Sequence, residues 1–201
     1  MGRTGHLKKG KTKNKFDIIY ALFSLVLGML MGWLAYDLGG SGVVGAIIAN
    51  IGIWVFTSAL LAFYAQSGIF AAGNTLVYYI GVIGAYYVHS MLLGADAAFS
   101  MMLHPLIFAV IGAMIGFIVW HANGTGWIGA FCAAVPISLL IAESYPLLNG
   151  LQWALVFDVV CAIILYILLC NGKLQRLMAL PIIIVFVFAL VYFGAFSRIF
   201  G

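Results

Sequence analysis

The chain has 201 residues, of which 66% are hydrophobic and 7% charged, and its mean hydropathy is +1.19. A soluble domain carries about 25% charged residues, so this composition excludes a water-facing globular surface and points to an integral membrane protein. The net charge of +4 is crowded at one terminus, which makes it a topology signal and argues against a nucleic-acid partner.

Residues 1–15 read as a flexible basic tail holding Arg3, Lys8, Lys9, Lys11, Lys13 and Lys15. This tail is expected in the cytoplasm, in contact with anionic lipid. Residues 16–201 then form a single transmembrane helical domain. Its apolar runs lie at 16–38, 43–65, 70–93, 105–122, 127–145, 151–170 and 175–197. Each approaches the roughly 20 residues that a helix needs to cross a bilayer. They lack the alternation of a barrel, and a helix satisfies its own backbone in hydrocarbon. The expected fold is therefore all-α, a polytopic helical bundle of about seven spans in the cell membrane. Six spans are the alternative, because the fourth run is the shortest and the third the most polar. Lys173 and Arg176 then fall inside and Arg198 outside. The first run exceeds a signal-peptide core and lacks an A-x-A-like site, so it reads as an uncleaved anchor.

The acids beyond Asp17 gather on the outer side of this topology. Asp37 closes the first run, one turn after Trp33, and "DLGGSGV" at 37–43 is a Gly-rich turn. In the second run Asn50 and Trp54 share a face. "QSGIFAAGN", 66–74, reads as a loop or interfacial element, and Tyr79, Tyr86 and His89 fall near one face of the third run. Asp96 belongs to the outer connection, and Pro105 marks the start of the fourth helix. Gly28/Gly32, Gly45/Ala49, Gly112/Gly116 and Gly129/Ala133 are small-residue pairs for close helix packing, within the chain or across a dimer face. Glu143 lies just below the outer end of the fifth run, and Asp158 about two turns into the sixth. The turn between them is short, so the two carboxylates should sit at comparable depths.

If these faces converge, Glu143, Asp158, His89, Tyr86, Asn50, Trp54 and Asp37 line an outward-opening acidic and aromatic cavity. Carboxylates and aromatic faces suit a small organic cation or amine, and the acids also suit H⁺ coupling. Buried carboxylates mark pathways or partners, and no Lys or Arg stands at the depth of Asp158 to pair with it. The alternative is a structural or assembly subunit, whose acids hydrogen-bond within the bundle or dock a partner membrane protein. Trp120, Trp127 and Trp153 read as interfacial belt residues. Cys132, Cys161 and Cys170 fit no metal motif and read as packing residues.

Catalytic motifs are sparse. "GGSGVVGA" at 39–46 resembles the serine motif of rhomboid intramembrane proteases, with His104 two runs after Ser41. Only one run precedes Ser41, however, and the histidine lacks small neighbours, so this is a remote alternative. No H-E-x-x-H, P-loop or C-x-x-C is present. The expectation is a protein that is not an enzyme, with no cofactor and no metal.

Taken together, "GMLMGWLAYDLGG", "ANIGIWVFTSALLAF", "IGVIGAYYVHS" and "AESYPLLNGLQWALVFDVV" resemble an uncharacterised family of small seven-span membrane proteins of Gram-positive bacteria. That resemblance implies a membrane location and acids at the positions of Glu143 and Asp158, and it implies no activity. A weaker likeness is to the substrate-capture components of energy-coupling-factor transporters, which are small, helical and aromatic-rich but usually have six spans.

Overall fold

The structure, a computed structural model, describes residues 4–39, 41–94, 99–145 and 152–193. Among these residues it is helical throughout, with no strand. In chain order the helices are α1 (Thr4–Leu38), α2 (Gly42–Ala49), α3 (Ile51–Phe63), α4 (Gly68–Leu92), α5 (Phe99–Trp120), a 3₁₀ turn (His121–Asn123), α6 (Gly126–Glu143), α7 (Trp153–Leu169) and α8 (Lys173–Tyr192).

Every apolar run is thus helical, but the runs are not equal. Five segments are long and apolar enough to cross a membrane: Asp17–Leu38, Gly68–Leu92, Pro105–Asn123, Gly126–Glu143 and Lys173–Tyr192. The second run breaks at Asn50 into α2 and α3, bent by 55°, and the pair together qualifies as a sixth. The 17 residues of α7 rise about 25 Å, short of the roughly 30 Å of a hydrocarbon core.

Three local expectations are corrected. The tail is not a flexible segment from Thr4 onward. Its Lys-rich sequence has no proline, and it continues the first span as one helix, α1. Residues 68–74 are not a loop, because Ser67 caps α4 by accepting from the Phe70 N–H at 3.4 Å. Pro105 lies inside α5, since the apolar stretch ahead of it starts the helix at Phe99. Asp96 and Arg198 lie outside the described residues, as do the first three residues of the tail and the side chains of the remaining tail basics and of His104.

Backbone approach at glycine sets the helix order. A Cβ at Gly28 or Gly32 would strike the carbonyl of Tyr78 or Val82, and one at Gly81 would meet the Leu25 carbonyl. α1 and α4 therefore run parallel with their backbones in contact, as small residues permit. Gly112 and Gly116 of α5 receive the Tyr79 ring and the Thr75 side chain of α4. These glycines serve packing within the chain.

The end of the bundle remote from Asp37 is tied by side chains to free carbonyls. Asn123 Nδ2 donates to the Phe63 carbonyl and Trp120 Nε1 to that of Ala65, both at 2.9 Å. Trp120 is therefore a tie within the fold, whereas Trp127 and Trp153 stay exposed in the manner of belt residues. Gln175 Nε2 donates to the Ala122 carbonyl at 3.1 Å, and its Oε1 accepts from the Asn171 N–H at 3.0 Å. Between the ends lies a core rich in small residues, with Ala62, Ala130, Ala133, Ala134 and Ala179 fully buried against Leu140 and Leu165.

Candidate functional site

The break at Asn50 creates the site. Asn50 has extended backbone (φ −77, ψ 143), which ends α2 and starts α3. An asparagine there normally folds its side chain onto its own helix, but this one makes no cap. Its Nδ2 instead donates to Asp158 Oδ2 of α7 at 2.6 Å.

Two residues further, Gly52 packs directly on the Asp158 carboxyl, so any Cβ there would overlap it. The carboxyl of Glu143, the last residue of α6, lies near the Gly52 backbone N–H and the Asp158 carboxyl. Three helices thus converge on the N-terminal turn of α3. That turn supplies N–H groups without intrahelical partners, and a partial positive charge.

Asp158 is fully buried, and among the described residues its Oδ1 has no hydrogen-bond partner. No Lys or Arg occurs between Lys15 and Lys173, so the acids meet no fixed cation in this stretch of chain. Among the described residues no cluster of three His, Cys, Asp or Glu is arranged to hold a metal.

Glu143, Asp158 and Asn50 come together as one cluster, and the other four expected site residues lie elsewhere. His89 of α4 pairs with Asp37 of α1, Nε2 to Oδ1 at 2.7 Å. Its ring sits against Trp33 and Tyr36, with centroids at 3.8 and 4.9 Å. Tyr86 and Trp54 flank a separate groove of about 370 Å³ with Tyr36, Ala35, Gly39 and Ala49. The Trp54 indole N–H is occupied by the Ile48 carbonyl at 3.0 Å.

Tyr79, placed on the same face as Tyr86 and His89, instead turns inward and shares a hydrogen bond of 3.1 Å with Ser58. Ser41 Oγ donates to the Leu38 carbonyl at 2.8 Å, as a turn residue does. Gly52 was missed by sequence reasoning. Its signal is a glycine two residues after an asparagine inside a mostly apolar run.

The architecture defines a class, a helical membrane protein with a discontinuous helix facing one buried and one partly buried acid. Comparison with protein families, with characterised proteins and with solved structures gives no match, so the functional reading rests on this geometry.

Proposed function

We propose that the chain is a seven-span carrier of the cell membrane with a cytoplasmic N-terminus, and that Glu143 and Asp158 bind and release a proton or a small cation as it works. The observation that carries this reading is the free Oδ1 of fully buried Asp158. A carboxylate deep in a bilayer costs about 2.5–3.5 kcal/mol even on insertion scales, and two adjacent carboxylates repel when both are charged. A bound proton or cation removes both costs. Discontinuous helices that end at a binding site are the recurring device of membrane carriers, and the break at Asn50 has that form.

Orientation rests on the basic residues. The tail leads into α1, and Lys173 and Arg176 stand at the end remote from Asp37, so one face holds most of the positive charge. A cysteine placed in the tail should react with an impermeant maleimide only after the cells are opened.

The coupling test is electrical. Proteoliposomes adsorbed on a solid-supported membrane should give a transient charge displacement after a pH step, and Asp158→Asn should abolish it. A transient that survives in Asp158→Asn, or a wild type indistinguishable from empty liposomes, would refute the carrier and leave the assembly-subunit reading.

A further inference from the structure

Glu143 faces two ways. Besides its interaction at Gly52 it borders a cavity of about 100 Å³ between α3, α5 and α6. The cavity follows α5 from Phe108 to Val119, and Val55, Ile115 and Leu139 stand among its walls. Ser58 and Tyr79 also border it, but their hydroxyls bond each other at 3.1 Å and offer little to a guest. Among the described lining residues Glu143 is the one carboxyl group. Exposed Ile111 of α5 and partly exposed Leu190 of α8 also line it, so its wall reaches the outer surface of the bundle.

Apolar walls hold water poorly, because a water molecule needs two to four polar partners. A carboxylate at one end of such a cleft calls for a positive charge or a hydrogen-bond donor. The occupant that satisfies both ends is amphipathic. We infer that the cleft binds a lipophilic amine taken from the bilayer, its hydrocarbon body lying along α5 and its protonated nitrogen donating to the Glu143 carboxylate. This rests on the carrier reading, and it names the substrate that exchanges with the proton at the acid pair.

The test uses the full chain in lipid nanodiscs and a hydrophobic carbodiimide, with modification of Glu143 followed by peptide mass spectrometry. The probe is N,N-dimethylhexylamine, a tertiary amine that the activated acid cannot couple. Its uncharged isostere, 2-methyloctane, is the control. The amine should slow labelling of Glu143 about tenfold, as a charge-assisted hydrogen bond implies, and the isostere should leave the rate nearly unchanged. Ile115→Trp, which fills the cleft, should remove the protection by the amine. Equal protection by the two compounds, no protection by the amine, undiminished protection in Ile115→Trp, or a Glu143 that the reagent never reaches would each overturn the inference. The charge-displacement test reads Asp158 instead, so the carrier and its substrate can fail separately.

Discussion

Gly52→Ala places a methyl group on the Asp158 carboxyl, where the built Cβ overlaps Oδ1 and comes within 3.0 Å of Oδ2. Asp158 has no exposed surface to move into and is held by Asn50 at 2.6 Å. Overpacking of this kind costs about 1–3 kcal/mol. Displacing the carboxyl also loses a hydrogen bond, at about 0.5–1.5 kcal/mol. Against this, alanine is a better helix former than glycine by about 0.5–1 kcal/mol. The net expectation is a loss of about 2 kcal/mol in the wild-type background.

The clash disappears when the acid is truncated. In an Asp158→Ala background the same substitution should be neutral or stabilising by about 0.5–1 kcal/mol, which gives a coupling of about 2–3 kcal/mol between the two positions. Reversible unfolding of the four proteins in mixed micelles measures it. A coupling below about 0.5 kcal/mol, the level of independent sites, would mean that Gly52 does not touch Asp158 and would refute this arrangement of the site.

Other substitutions probe the rest of the frame by the same unfolding measurement. Gly32→Val forces the α1 and α4 backbones apart at Val82 and should cost about 1–3 kcal/mol, whereas the same change at Gly73, with open space around its Cβ position, should cost less. Gln175→Ala strips the Ala122 carbonyl and the Asn171 N–H of their partner and should destabilise by about 1–3 kcal/mol. His89→Phe keeps an aromatic ring against Trp33 but drops the bond to Asp37. Because Asp37 is exposed, the loss should stay near or below about 1 kcal/mol.

The long apolar helices were legible because apolar length is a local property, and each run carries helix among its described residues. Their interruptions were less so. Asn50 reads in sequence as one polar residue on an amphipathic face, and only the position of Asp158 on a distant helix explains why the backbone breaks there. That Glu143 and Asp158 would sit near each other was an expectation from the short connection between their runs, and the two acids are close enough to interact.

The convergence of all seven polar residues into one cavity was an assumption about helix rotation, which no single-helix pattern encodes. The glycine contacts of α1 with α4 decide it for His89, by bringing Asp37 alongside. Ser58, one turn past Trp54, likewise draws Tyr79 inward and away from Tyr86.

The break and the acids each look like a defect in a membrane, and the geometry makes them answers to one another. An interrupted helix exposes backbone N–H groups that hydrocarbon cannot satisfy, and a buried carboxylate needs donors or positive potential. The first turn of α3 offers such N–H groups, the Glu143 carboxyl lies near the one at Gly52, and Asn50 turns its amide to Asp158 rather than capping its own helix. If packing alone were at stake, a continuous helix and two leucines would fill the same space at lower cost. What the polar arrangement leaves over among the described residues is one unpartnered oxygen on Asp158 and one carboxyl bordering the cleft. On the carrier reading, those two groups are where the chain takes up positive charge, and the helix break beside them is where the fold feels that uptake.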